Sequence, residues 1–314
     1  SIPAAKLYVE GINKMVFQQD WTAAQQLLEQ SVEEDPTFAM AYLQLQANYI
    51  LTNQNDKRIQ TYTPIMQHLY KLPERLQSYV KAGYYEAKQQ PDKQFAVIKM
   101  ITQLYPNDVT GHGLLAFFYG LRNQLEEAIA SYKRILELDP ERYDLLQTIG
   151  QHYEQLGKPE KALESYSKYA KQFPNEAKSF MQIGALHKRA GRYDQAKKQY
   201  EKALLVEPDH IAVLITLADI EKDLGNFDAA VQQYQNALEL CKTPQELSQA
   251  YNALENYHEY RGQMKKALEY SQLRFKELQK FTAPFIFVIR QLTSLDEYIR
   301  AGQKEPAFEL LEAA

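Results

Sequence analysis

Two short motifs in the sequence have the spacing of reactive or cofactor-binding sites. Gly111-His112-Gly113 superficially matches the glycine-rich turn that holds a dinucleotide, and Ser165-Tyr166-Ser167-Lys168 has the Ser-x-x-Lys spacing of some acyl enzymes. The dinucleotide turn must follow a β-strand, and no strand pattern precedes Gly111. The second motif lies within a predicted helix in which Tyr166 belongs to the core. Both motifs thus have structural explanations, and we expect a non-enzymatic protein without a cofactor.

The histidines and the cysteine do not form a metal site by their spacing. The six histidines contain no His-x-x-x-His pair that would place two ligands on one helical face. Cys241 is the single cysteine, so it excludes an internal disulfide and cannot hold zinc by itself. His187 and His258 occupy the place that Tyr153 holds in a 34-residue repeat, which predicts packing with one ring nitrogen hydrogen-bonded. We therefore predict no metal.

The charge balance argues against nucleic acid and membrane partners. The chain has 36 Lys and Arg against 40 Asp and Glu, without the basic stripe that nucleic acid requires. No apolar run approaches the roughly 18 residues of a membrane span. We expect no direct membrane insertion and a cytoplasmic location, with the periplasmic or extracellular part of a membrane-anchored protein as the alternative.

Several residue types recur with one period of 34 residues, which predicts pairs of helices. The recurring positions form a proline, an alanine, a tyrosine and a glycine series: Pro106, Pro140, Pro174 and Pro208; Ala128, Ala162, Ala196 and Ala230; Tyr132, Tyr166, Tyr200 and Tyr234; and Gly157, Gly191 and Gly225. Apolar residues between them have helical spacing. The small residues let backbones approach closely, and each glycine ends the first helix of a pair.

The chain resembles the tetratricopeptide repeat (TPR) family across nearly its whole length. The signature positions in one repeat are Ile149, Gly150, Tyr153, Gly157, Ala162, Tyr166 and Pro174. The resemblance implies an all-α fold, a right-handed superhelical solenoid of helix-turn-helix repeats. It predicts one solenoid over residues 1–314 with about nine units, at about 5–38, 39–72 (degenerate), 75–108, 109–142, 143–176, 177–210, 211–244, 248–281 and 288–314 (incomplete). Pro64 and Pro73 are expected to interrupt the second half of the degenerate unit.

In this family the first helix of each repeat lines a concave groove that binds a protein or peptide. The inward places carry mostly apolar residues in the first four units and polar residues in the next three. The candidate binding residues are Val9, Asn13, Phe17, Leu43, Ala47, Ile50, Leu51, Tyr79, Phe117 and Leu121 in the apolar half, and Lys178, Lys188, Arg189 and Lys222 in the polar half, which we expect to carry some positive charge. Leu43 and Ile50 have core packing as an alternative. The family's clamp for a chaperone carboxylate is not present, because Val9 and Leu43 replace its lysine and Ala47 its asparagine.

Two other functions remain open from the sequence, an oligomerisation module and a small-molecule or peptide sensor. Residues 285–289 (Phe-Ile-Phe-Val-Ile) are apolar around a full helical turn, which favours a homodimer through the C-terminal helices. A narrower resemblance concerns Leu72-Pro73-Glu74-Arg75-Leu76, Tyr84-Tyr85 and Leu104-Tyr105-Pro106. These stretches are similar to TPR regions of bacterial signalling proteins such as kinases, adenylate cyclases and winged-helix regulators. That resemblance implies the recruiting or sensing part of a larger regulator.

Overall fold

The computed structural model describes residues 1–282, 299–300 and 302–303, which form α-helices and no β-strand. The chain divides into two units, unit 1 (Ser1–His152) and unit 2 (Tyr153–Ala314), and the division falls within helix α9. The helices are α1 (Ile2–Val16), α2 (Trp21–Glu34), α3 (Ala39–Leu51), α4 (Asn55–Gln67), α5 (Glu74–Ala87), α6 (Pro91–Leu104), α7 (Val109–Leu121), α8 (Leu125–Leu138), α9 (Leu145–Gln155), α10 (Pro159–Gln172), α11 (Ala177–Arg189), α12 (Tyr193–Val206), α13 (Ile211–Asp223), α14 (Phe227–Leu240), α15 (Pro244–Tyr260) and α16 (Met264–Leu278), with a short 3₁₀ turn at Leu69–Lys71. Residues 285–289, and nearly all of the predicted ninth repeat, lie outside the described residues.

Polar side chains fix several helix starts. The carboxylate of Asp20 accepts a hydrogen bond from the amide of Ala23 at the start of α2, and Asp108 does the same for Gly111 at the start of α7. Thr243 forms a reciprocal capping box with Glu246 at the start of α15. Each interaction pairs a backbone donor that a helix start leaves unsatisfied, which sets where the helix begins.

A left-handed residue lies in the turn between the two helices of each pair. In unit 2 these residues are glycines, as predicted, with positive φ angles at Gly157, Gly191, Gly225 and Gly262. In unit 1 the turns instead use residues with side chains, Gln19, Asn53, Gln89 and Asn123, at φ angles from 52° to 56°. Glycine adopts this conformation without the steric cost that a Cβ atom brings. The four turns of unit 1 are therefore intrinsically less favourable than those of unit 2.

Small residues allow the helices of a pair to approach closely, as the sequence predicts. Ala162, Ala196 and Ala230 have no exposed surface, and Ala218 is equally buried. A Cβ atom added at Gly184 would lie 3.0 Å from the ring of Tyr200 on the following helix. Because protein interiors are close-packed, a larger side chain at this place would separate α11 from α12. The neighbouring tyrosines, Tyr166, Tyr200 and Tyr234, fill the remaining space and are buried.

The pair α15 and α16 departs from this small-residue pattern. Glu255 stands 37 residues after Ala218, at the equivalent place, and is only 4% exposed. Its carboxylate accepts two hydrogen bonds from Arg274, at 2.6 Å from Nε and 3.1 Å from Nη2. A charged pair in bidentate geometry thus replaces the small residues of the other pairs.

One sequence prediction about helix boundaries is wrong. Pro64 does not interrupt the second half of the degenerate repeat, because α4 continues through it to Gln67. The proline removes one backbone donor close to the end of the helix, where few further hydrogen bonds depend on it. Pro73 does mark a boundary, since it directly precedes α5.

The helices pack in consecutive pairs. In unit 1, each odd-numbered helix from α1 to α7 packs on the even-numbered helix that follows it, and each pair then contacts the next pair along the chain. The same arrangement holds in unit 2 from α10 to α16. The fold is an all-α helical-repeat solenoid.

Candidate functional site

Most of the large apolar residues predicted to line the groove in unit 1 are exposed. The side chains lie on the odd-numbered helices α1, α3 and α7 or at their last turn. We call the following set the apolar face: Val9, Val16, Phe17, Ile50, Leu51, Phe117 and Leu121, which are 55–79% exposed. Asn13, the predicted polar member of the first repeat, is also exposed. The core alternative for Ile50 is therefore wrong.

The remaining candidates of unit 1 are partly buried. Leu43 packs against a core cluster that includes Tyr62 and Ile65, so its side chain contributes to the fold. Ala47 and Tyr79 are also of intermediate exposure. The helices α1 and α3 contact each other directly, which brings the exposed side chains of the first two repeats onto neighbouring helices.

Three of the four cations predicted for the polar half are paired with carboxylates in unit 2. Arg189 forms an ion pair with Glu154. Lys188 and Lys222 both reach Asp219, each at 3.5 Å between Nζ and a carboxylate oxygen, and Lys222 also lies 3.9 Å from Asp223. These acids offset the positive charge expected from the sequence. Lys178 is exposed on α11.

Buried tyrosine hydroxyls hold two of these carboxylates in place. Tyr166 donates a hydrogen bond of 2.6 Å to Glu154, and Tyr234 donates one to Asp219. Burial raises the pKa of both tyrosines above the usual range, and the adjacent carboxylates raise it further. Both phenols therefore stay protonated and donate at neutral pH. The result is a fixed network of charges along α9, α11 and α13.

The sequence motifs that resemble catalytic sites have structural roles. Gly111 lies inside α7 with its amide bonded to Asp108. Ser165 donates its hydroxyl to the carbonyl of Lys161 at 2.9 Å, and Lys168 forms an ion pair of 2.7 Å with Glu164. These side chains are thus engaged in local helix contacts.

The histidines confirm part of the packing prediction. His258 is buried, its Nδ1 lies 2.7 Å from the Gln263 amide oxygen, and its ring stacks on Tyr270. Nδ1 of His187 is buried without a hydrogen-bond partner among the described residues. Within the same residues, no group of three His, Cys, Asp or Glu could hold a metal ion. No helix in that part of the chain is both long and apolar enough to cross a membrane.

Three features of the site were not predicted from the sequence. They are the pairing of Arg189 with Glu154, the shared role of Asp219, and the buried pair of Glu255 with Arg274. For the pairs Arg189–Glu154 and Lys188–Asp219 the only signal in the sequence was opposite charge on consecutive first helices, whereas Glu255 and Arg274 lie on the two helices of one pair. Many opposite charges exist in a chain with 24% charged residues, so none of these pairings stands out.

Comparison with known proteins identifies the repeat type. Two family models, both described as tetratricopeptide repeat, match residues 121–182 and 175–242. No curated protein matches the sequence. Among solved structures, the C-terminal part of a TPR repeat-containing protein from Cytophaga hutchinsonii matches with a TM-score of 0.58 at 16% identity, over 76% of this chain and 95% of that one.

Two shorter structures match less closely. YrrB, described as a TPR protein with an unusual peptide-binding site, has a TM-score of 0.44 at 18% identity over 55% of this chain and 87% of its own. MamA has a TM-score of 0.44 at 19% identity over 53% of this chain and 95% of its own. Residues 121–242 thus match models of the tetratricopeptide repeat family, and the described residues have an all-α helical-repeat fold.

Proposed function

We propose that the protein is a non-catalytic scaffold that binds another polypeptide, and that the apolar face of unit 1 is the binding surface. The observation that carries the proposal is the exposure of its seven large apolar side chains, each more than half accessible to water. Exposed apolar patches on soluble proteins mark interaction sites. The tetratricopeptide repeat match at residues 121–242 supports the same class of function, because this family binds proteins and peptides.

The chemistry of the face favours an apolar partner segment. Arg58 and Arg122, two cations of unit 1 that follow α3 and α7 in the chain, are paired with Glu86 and Asp92 on the same unit. The exposed surface therefore offers hydrophobic burial without a strong contribution from these charges. We infer that a peptide or an amphipathic helix places its apolar side chains against Phe17, Ile50 and Phe117. Lys178, Lys188, Arg189 and Lys222 of unit 2 are proposed as a second partner-binding surface, which belongs to that unit alone.

The narrower assignment follows from the sequence resemblance. The stretch Leu72-Pro73-Glu74-Arg75-Leu76 resembles the TPR regions of bacterial regulators. We therefore propose that the scaffold recruits or senses a partner for a larger signalling protein in the cytoplasm.

The test is capture of partners from the source cell's lysate by the full chain and by a Phe17→Ser/Phe117→Ser variant. Both side chains are mostly exposed, at 79% and 55%, so the variant keeps its helical content. A fully buried phenylalanine contributes about 1.5–3 kcal/mol, so the double change weakens binding by about 100-fold or more. Affinity is then measured by titration calorimetry with the purified partner.

The matched control removes equally exposed apolar groups away from the face. Tyr70 and Leu205 are 73% and 84% exposed and lie outside the apolar face. A Tyr70→Ser/Leu205→Ser variant should retain the partner. Capture that survives the Phe17/Phe117 change, or that both variants lose equally, contradicts the proposed surface. Light scattering on the same samples detects self-association, in which case a second copy is the occupant.

A further inference from the structure

A cleft in unit 2 lies between α10, α11 and α12. Its volume is about 370 Å³, near the lower end of the range for small-molecule sites, which is about 300–1,000 Å³. The residues that line it are Leu163, Ser167, Ala170, Lys171, Phe180, Ile183, His187, Gln199 and Lys202. The lining combines an apolar part with two cations and contains no acidic side chain.

The two lysines of the cleft have no carboxylate partner in the part of the chain that the structure describes. Glu164, the acid beside Leu163 on α10, forms its ion pair with Lys168 instead. On α12, the negative charges of Glu201 and Asp194 raise the pKa of Lys197, and Lys197 forms an ion pair with Glu221. The positive charges of the cleft are therefore not neutralised by the neighbouring acids, in contrast to the paired cations of α11 and α13.

The apolar part of the cleft comes from side chains that the fold already holds in place. Ile183 is only 5% exposed, and Phe180 packs against the core cluster of α11, α12 and α13. Nζ of Lys202 lies 5.9 Å from the centre of the Phe180 ring. The ammonium group thus sits directly beside an apolar wall. Such an arrangement fits a ligand that has an anionic end and an apolar body.

His187 adds a polar group at the buried side. Its Nδ1 is buried and has no hydrogen-bond partner among the residues that the structure describes. Burial lowers the pKa of His187, and the positive charge of Arg192 lowers it further. The imidazole is therefore uncharged at neutral pH and has an unused hydrogen-bonding atom.

We propose that this cleft binds a small organic carboxylate, whose apolar body contacts Phe180 and Ile183 and whose carboxylate lies between Lys171 and Lys202. The ligand is a free small molecule, because the volume corresponds to a small ligand and the site is built from only three helices. Ser167 and Gln199 supply further hydrogen-bonding groups at the same cleft. The site is separate from the polypeptide surface of unit 1, so either assignment stands or fails without the other.

The experiment titrates octanoate into the full chain labelled at isoleucine and leucine methyl groups and follows the methyl signals by NMR. The methyls of Ile183 and Leu163 should shift with increasing octanoate, while those of Ile65 and Ile98 in the core of unit 1 should not. Octan-1-ol, which has the same apolar chain without the charge, should bind at least tenfold more weakly. The charge contrast separates the proposed site from general hydrophobic adsorption.

Charge variants complete the test. A Lys171→Gln/Lys202→Gln variant should weaken octanoate binding by about tenfold or more, since each change removes a charged hydrogen-bond donor. Lys168→Gln is the matched control, because Lys168 lies on the same helix but is paired with Glu164 outside the cleft lining; it should leave the affinity unchanged. The proposal is overturned if octanoate shifts no methyl at the cleft, if octan-1-ol binds equally well, or if the two lysine changes have no more effect than the control.

Discussion

Replacing Gly83 with alanine places a methyl group where the side chain of Tyr62 already lies. A Cβ atom at residue 83 would be 2.2 Å from the Tyr62 hydroxyl oxygen and 2.8 Å from Cζ of its ring. Ordinary contact between such atoms requires about 3.5 Å, so the end of the ring must retreat by roughly 1 Å. Tyr62 is 6% exposed and packs with Ile65 and Val80, which restricts that movement.

The magnitude follows from two opposing effects. Overpacking a close-packed site costs about 1–3 kcal/mol. Alanine in a helix interior is about 1 kcal/mol more favourable than glycine, which offsets part of that cost. We therefore expect Gly83→Ala to lower the free energy of unfolding by about 1 kcal/mol, on balance. The loss should be concentrated at the contact between α4 and α5.

The assay is urea denaturation followed by circular dichroism, together with hydrogen exchange of the α4 and α5 amides. Gly120→Ala in α7 is the control, because a Cβ atom there meets no atom within 4 Å. It should stabilise the protein by up to about 1 kcal/mol. Tyr62→Phe removes the nearest clashing atom and should restore part of the stability lost in Gly83→Ala. If Gly83→Ala stabilises the chain as Gly120→Ala does, the reasoning about close approach is refuted.

Three further predictions concern a buried ion pair, a buried histidine and a partly buried cysteine. Glu255→Ala leaves Arg274 without its buried partner and should lower the free energy of unfolding, measured by urea denaturation, by about 3–5 kcal/mol. A double Glu255→Ala/Arg274→Ala variant that is no more stable than the single variant would contradict this explanation. Burial lowers the pKa of His258 by more than the hydrogen bond to Gln263 raises it, so at this group the unfolded chain binds more protons than the folded chain. The melting temperature should therefore fall as the pH drops below about 6.5. If a His258→Gln variant shows the same dependence of melting temperature on pH, His258 is not responsible. Burial raises the pKa of the Cys241 thiol to about 11. Ellman's reagent at pH 8 should therefore react roughly 100-fold more slowly with the folded chain than with the urea-unfolded chain, and equal rates would exclude the raised pKa.

The 34-residue spacing was sufficient to predict helix pairs, because the places that recur are those where backbones approach. Ala162 and Ala196 are buried at the contact between paired helices, and Gly157 and Gly191 occupy left-handed turns. The turns of unit 1 were less visible in the sequence. Gln19 and Gln89 occupy the same left-handed conformation, but glutamine also fits a helix well and therefore gives no turn signal.

The candidate site was predictable where it depends on helix register and not where it depends on long side chains. Phe17 and Phe117 are exposed because their places on the first helices turn away from the core. The ion pairs of Lys188 and Arg189 depend instead on acids at different places of adjacent repeats. Flexible lysine and arginine side chains can reach several such partners, so spacing alone does not select one.

The ion pairs between consecutive repeats also restrict how the gene can change. Removing the 34 residues 177–210 would preserve the hydrophobic pattern, because the deletion spans one full repeat. In the shortened chain, Asp223 would occupy the position of Arg189, the partner of Glu154. Asp219 would also lose its partner Lys188. The shortened chain would place Asp223 opposite Glu154, with Lys222 as the remaining cation, so one ion pair becomes a contact between two carboxylates, which is destabilising. Loss of one repeat by unequal recombination is therefore penalised by charge, although the packing alone would tolerate it.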